Sequence, residues 1–159
     1  MKPAPTAGFT LIEATVVVAI LSATVITLLP LQQWLNRQGV RHAVDQLQSD
    51  LQLSRVTAIR EKETCCVRFN NPDVNQYFLE FADRPCDLAA YRGNVHFLKR
   101  GPDGKPMAGR VSFNCRGMST TVAPADIFLA DGSGGIVYRV QVKLPGGISV
   151  RLWRNHRWQ

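Results

Sequence analysis

Residues 9–29 read FTLIEATVVVAILSATVITLL, and Glu13 is their only ionisable side chain. At about 1.5 Å per residue this stretch makes about 30 Å of helix, the thickness of a bilayer's hydrocarbon. A cleaved secretory signal has a shorter apolar run, of about 7–15 residues, and ends on a small-x-small site. Here Pro30-Leu31-Gln32-Gln33-Trp34 follows instead. The segment therefore reads as a transmembrane helix rather than a discarded signal. A carboxylate at that depth costs about 2.5–3.5 kcal/mol on insertion scales, so Glu13 marks a site. The sequence offers no lysine or arginine within helical reach, and the counter-charge is expected on another molecule.

Downstream of Pro30 the helical pattern continues. Val40, Val44, Leu47, Leu51, Ser54 and Ala58 repeat at 4-3-4-3-4 spacing, one apolar stripe, while Arg37, Arg41, Asp45, Gln48, Gln52 and Arg55 lie mostly off it. Gly39 weakens the helix without stopping it. Residues 9 to about 63 are thus expected to form one helix of about 80 Å. From Thr64 the period changes to two. Thr64–Phe69, Gln76–Phe81, Asn94–Lys99, Arg110–Phe113, Asp126–Leu129, Ile136–Lys143 and Ile148–Trp153 are rich in β-formers. Turn sequences separate them, among them Asn70-Asn71-Pro72-Asp73, Gly101-Pro102-Asp103-Gly104 and Pro145-Gly146-Gly147. The expected fold class is α+β: a long N-terminal helix, its first half transmembrane (9–29) and its continuation at 30–63, packed on a globular part of antiparallel sheets at 64–159.

The chain has 159 residues, 45% hydrophobic and 19% charged, which excludes a disordered or collagen-like protein. Its net charge of +7 favours polyanionic partners such as nucleic acid or anionic lipid. Cys65 and Cys66 are neighbours in an expected strand and point to opposite faces, so they neither bond to each other nor chelate one metal. A disulfide from one of them to Cys86 or Cys115, and two buried free thiols, are both open readings. His42, His96 and His156 share no carboxylate pattern, and Gly132-Ser133-Gly134-Gly135 lacks the Lys-Ser/Thr and following helix of a phosphate loop. No catalytic constellation, metal site or cofactor is expected.

The last eleven residues carry Arg151, Arg154 and Arg157 interleaved with Trp153 and Trp158. Such a tail would hold phosphates and stack on bases of DNA. The alternatives are a final strand whose Leu152 and one tryptophan pack inward while the arginines stay solvated, and a contact with acidic lipid headgroups or protein.

Gly8-Phe9-Thr10-Leu11-Ile12-Glu13, preceded by Met1 to Ala7 and followed by the apolar helix, resembles the class III signal of type IV pilins and type II secretion pseudopilins, with 1–8 as the leader peptide. That resemblance implies cleavage after Gly8 by a prepilin peptidase, N-methylation of Phe9, and pairing of Glu13 with the α-amino group of a neighbouring subunit. Pro30 falls at mature position 22, where many type IV pilins have a proline. The stretch Leu47–Arg60 and the strand Val111-Ser112-Phe113-Asn114-Cys115-Arg116-Gly117 resemble the GspH/FimT family of minor pseudopilins, with Ser54 and Val111 in place of the usual alanine and isoleucine. The implied protein is a structural subunit, not an enzyme, with its lollipop head in the periplasm and its helix in the inner membrane. Its implied partners are other pilins, the prepilin peptidase and the inner-membrane assembly platform of a type II secretion pseudopilus or a type IV pilus. Some members of the subfamily take up DNA through a GRxR motif near the C-terminus; this chain has Gly147-Ile148-Ser149-Val150-Arg151 there and no GRxR.

Overall fold

The computed structural model describes residues 11–121, 124–154 and 156–159, with the side chains of 23–33 excepted. The leader, Gly8 and Phe9 lie outside the described residues. Contacts divide the chain into two units, Met1–Trp34 and Leu35–Gln159. A single helix, α1 (Leu11–Glu61), begins in the first and ends in the second.

In the first unit most described side chains of the helix are apolar, and Glu13 is the one ionisable group before Trp34 among them. Leu11, Ile12, Val16, Val17, Val18, Ile20 and Leu21 are all exposed. Two described hydroxyls bond within the helix, Thr15 Oγ1 to the Ile12 carbonyl at 2.8 Å and Ser22 Oγ to the Val18 carbonyl at 2.7 Å. Donors satisfied this way do not need water. Among the described residues no helix is long and apolar enough to cross a membrane. Positions 9 and 10 and the side chains of 23–29, which complete the apolar run of the sequence, lie outside that set.

The second unit is built on the stripe read from the sequence. Val40, Ala43, Val44, Leu47, Leu51 and Ala58 on α1 are buried, as Ser54 is. They pack on two antiparallel sheets. One has the order β3 (Arg84–Asp87), β2 (Gln76–Leu79), β1 (Cys65–Phe69), β5 (Arg110–Phe113). The other has the order β4 (His96–Phe97), β6 (Ala125–Ala130), β7 (Val137–Val142), β8 (Ile148–Arg154), β9 (Arg157–Trp158). Cys65, Val67, Phe69, Tyr77, Leu79, Val111 and Phe113 from the first sheet join Ile127, Leu129, Val140 and Val142 from the second in one core under the helix. The hairpin expected at Pro145-Gly146-Gly147 is present: the Lys143 N–H bonds the Gly147 carbonyl at 2.8 Å, and Gly146 has φ +82°, a glycine conformation.

Two strands were not expected. Pro85 and exposed polar neighbours hide β3, which is tolerable because it is an edge strand. β9 is only two residues long. The expected strand Gln76–Phe81 ends early, since Glu80–Ala82 turns into a 3₁₀ helix closed by Asp83 at φ +47°.

Polar contacts at Asp50 tie the helix to the first sheet, among them the Arg84 guanidinium of β3 at 3.9 Å. Tyr77 Oη donates to Asp50 Oδ2 at 2.6 Å, and both side chains are buried; Gln46 Nε2 donates to Asp50 Oδ1 at 3.1 Å. Burial and the bonded Asp50 carboxylate push the Tyr77 phenol far above its usual value. A folded-state pKa raised above the unfolded one of about 10 gives stability that is complete below pH 10 and lost as pH rises beyond it. Tyr77→Phe is therefore expected to cost about 1–3 kcal/mol at pH 8, because Asp50 loses a donor, and to flatten the alkaline loss. Urea unfolding of the full chain in detergent at pH 8 and above pH 10 measures both.

Candidate functional site

Glu13 lies in the first turn of α1 and is exposed among exposed apolar residues. A carboxylate there complements the positive end of the helix dipole. The other residues singled out by their sequence sit in the second unit, and the structure does not gather them into one site.

The cysteines are four free thiols. Cys65 faces the core and Cys66 the opposite side of β1, as neighbouring strand residues must. Cys86 stands opposite Tyr77, and Tyr77 opposite Phe69, so Cys86 is two strands from β1 and level with Phe69 rather than Cys65. Two strand spacings put Cys65 and Cys86 at least about 10 Å apart, against a reach of about 7 Å for a disulfide. Cys115 is exposed, after the end of β5. Burial, then Glu63, Glu61 and Glu80, push the Cys65 thiol up. Burial also raises Cys86, with the Tyr77 hydrogen bond opposing it. Thiols held protonated in this way are packing groups and not nucleophiles. Among the described residues no group of three or more His, Cys, Asp or Glu is placed to hold a metal ion.

The C-terminal tail is a strand with a short hairpin. Pleat alternation divides its cations: Arg151 shares a face with Arg139, directly opposite it on β7, while Arg154 and Arg157, opposite each other, belong to the other face. All three are exposed. The two indoles are engaged with protein. Trp153 and Trp158 meet edge-on at 4.9 Å, and Trp158 stacks on Phe128 at 5.8 Å. With Leu98 and Met107 they cover a second apolar cluster, Phe128, Ala130 and Val137, on the side of β6 and β7 away from the helix. The arginines of the tail are thus solvated as a phosphate-binding tail requires. Its stacking partners are occupied, and its charges do not line one face.

Beneath the tail lies a polar cluster that the sequence did not announce. Arg139 Nε donates to Asp126 Oδ1 at 2.9 Å, and Gln141 Nε2 donates to the same oxygen at 2.8 Å. Arg139 Nη1 approaches Asp103 Oδ2 at 3.5 Å, and the Trp158 indole N–H donates to that oxygen at 3.1 Å. The guanidinium lies 5.4 Å from the Trp158 ring centroid. The side chains of Arg139 and Asp126 are 7% and 8% exposed, so the pair is a buried one. Its only sequence signal is an arginine in an alternating strand, Val137-Tyr138-Arg139-Val140-Gln141-Val142, which reads equally well as a solvent-facing position. The cluster fastens the 99–107 loop and the C-terminal hairpin to the outer face of the second sheet.

No protein-family model matches the chain, and no curated protein matches it. Among solved structures, the crystal structure of the type IV minor pilin FimU from Pseudomonas aeruginosa strain PAO1 aligns with a TM-score of 0.54 and 11% identity. The alignment covers 79% of this chain and 96% of that one. At this identity the likeness shows the fold: α1 with two antiparallel sheets has the α+β fold of a minor pilin.

Proposed function

We propose that the chain is a minor subunit of a type IV pilus or of a type II secretion pseudopilus. The observation that carries this reading is the minor-pilin fold on a chain that carries Gly8-Phe9-Thr10-Leu11-Ile12-Glu13 followed by an apolar stretch. On this reading a prepilin peptidase removes residues 1–8 and Phe9 becomes the methylated first residue. The 9–29 segment anchors the subunit in the inner membrane, and the β-rich unit faces the periplasm. Subunits then pack through their apolar helices, a role that calls for van der Waals contact and one charge pairing rather than for catalysis.

The pairing gives a quantitative test. An ion pair formed at membrane depth relieves a carboxylate cost of about 2.5–3.5 kcal/mol, which corresponds to a partition change of roughly 60- to 300-fold. Glu13→Ala is expected to insert in the membrane normally and to enter filaments at least about tenfold less, by immunoblot of sheared filaments against the membrane fraction. Filaments with normal content of the variant would overturn the assembly role of Glu13. The mass of the protein purified from its own cells tests the rest: the polypeptide should begin at Phe9 and carry one methyl group.

A further inference from the structure

Besides the terminal strands of the two sheets, part of β8 lies without a second neighbour among the described residues. β9 reaches only the end of β8: Trp153 pairs with Trp158 and Arg154 with Arg157, and Leu152 exchanges both backbone bonds with Gln159 at 2.9 Å. Leu152 therefore directs its N–H and carbonyl away from β7, and by the two-residue period of a strand so do Val150 and Ile148. The 2.8 Å bond from Lys143 N–H to the Gly147 carbonyl fixes the opposite parity for the odd-numbered residues, which face β7. Among the described residues no group bonds the outward N–H or carbonyl of Ile148 or Val150, and no strand lies beyond them in the sheet.

We propose that this edge, Ile148 to Arg151, is a docking slot for an extended acidic segment of another protein, added as a strand antiparallel to β8. The side chains specify the occupant. Ile148 and Val150 are partly buried against the margin of the main core, so apolar residues opposite them extend it. Ser149 and Arg151 occupy positions where an incoming strand is not hydrogen-bonded, about 4.5 Å between Cα atoms, the closest cross-strand approach. Ser149 is half-buried, and a short polar side chain such as threonine opposite it makes a favourable cross-strand pair, while its own hydroxyl oxygen is enclosed within this chain. Arg151 is exposed with no carboxylate in reach among the described residues, and an acidic side chain opposite it completes the pair. Reading along the partner strand, the pattern is acidic, apolar, polar, apolar.

Charge argues against a second copy of this chain as the occupant. Pairing β8 with itself about Val150 sets Ser149 against Arg151 and brings two sets of Arg151, Arg154 and Arg157 together with no acid between them. Main-chain bonds give such strand addition its affinity, and alternate side chains give it selectivity. The proposal does not depend on the filament reading.

The test uses the full chain in detergent and a fluorescein-labelled synthetic peptide with Asp-Val-Thr-Val at its centre. A second peptide carries lysine in place of the aspartate. Amide hydrogen exchange at Ile148 and Val150 should slow at least about tenfold with the acidic peptide at about 1 mM, and not with the basic one. Val150→Pro removes the outward N–H while sparing the β7 ladder, a substitution edge strands tolerate. It should weaken binding at least about tenfold by fluorescence anisotropy, with exchange at Arg151 unchanged. Arg151→Glu keeps every backbone group and should reverse the preference between the two peptides. Unslowed exchange, equal binding of both peptides, or binding indifferent to Val150→Pro and Arg151→Glu would each overturn the proposal. So would self-association in sedimentation that Val150→Pro abolishes, since that outcome assigns the edge to a second copy.

Discussion

Arg139→Ala is expected to lower the stability of the β-rich unit by about 3–5 kcal/mol, because it strips the counter-charge from a buried carboxylate. Asp126 keeps only the Gln141 amide, and Asp103 keeps the Trp158 indole and a distant Lys105 ammonium at 3.9 Å. The guanidinium also supports the Trp158 ring, so the 99–107 loop and the C-terminal hairpin should loosen together. The measurement is urea unfolding followed by tryptophan fluorescence, with a red-shifted native emission as Trp153 and Trp158 gain water. Replacing the pair together, Arg139→Met with Asp126→Leu, should recover most of the loss, since an apolar pair of similar volume carries no desolvation penalty. A loss under about 1 kcal/mol for Arg139→Ala would mean that the cluster is hydrated and does not hold the hairpin.

The second large effect has a sign opposite to what helix propensity gives. Gly39 lies inside α1, where alanine is ordinarily better by about 1 kcal/mol. Yet a Cβ at Gly39 would overlap the backbone carbonyl of Arg92, and the adjoining Gly93, at φ +92°, would bring its own Cβ to 2.9 Å from the Asn36 carbonyl. The 88–93 loop crosses the helix on two glycines. Because the obstacle is backbone rather than a flexible side chain, the whole crossing must lift, at an overpacking cost of about 1–3 kcal/mol beyond the regained propensity. Gly39→Ala is expected to destabilise by about 2 kcal/mol and to speed amide exchange in the 88–95 segment, which carries the buried Leu88 and Val95. Gly147→Ala, where a Cβ meets nothing within 4 Å, serves as the control and should change stability by less than about 0.5 kcal/mol. A stabilised Gly39→Ala would show that the crossing is not the reason for the glycine.

Much of the second unit was legible before any coordinates. The stripe from Val40 to Ala58 is local, since residues three and four apart share a helix face whatever the rest of the chain does. Seven strands announced themselves by β-branched and aromatic content and by the turns between them. The two that did not were the ones with least to bury: β3 is an exposed edge with a proline, and β9 is two residues held by an indole and a pair of backbone bonds. Asp50 fell three residues after Leu47 and four before Ser54, on the margin of the stripe. Nothing local says that such a residue is buried, because its partner Tyr77 is 27 positions away. The tail shows the same limit from the other side. Arginines at three-residue spacing look like one surface in the sequence, but a strand's period of two places them on opposite faces.

The helix-then-strands order of the chain, seven of its strands, the membrane-length apolar segment with its single acid, and the buried face of the helix followed from the sequence alone, because periodicity and transfer free energy act on neighbouring residues. Only the tertiary structure decided which cations are buried, which tryptophans are spent on packing, why Gly39 must lack a side chain, and that Ile148 and Val150 have no strand beyond them among the described residues. Those outcomes depend on which strands become neighbours. Burial of a charge or exposure of a backbone group is settled by what lies across the sheet, and segments far apart in the chain meet there only after folding.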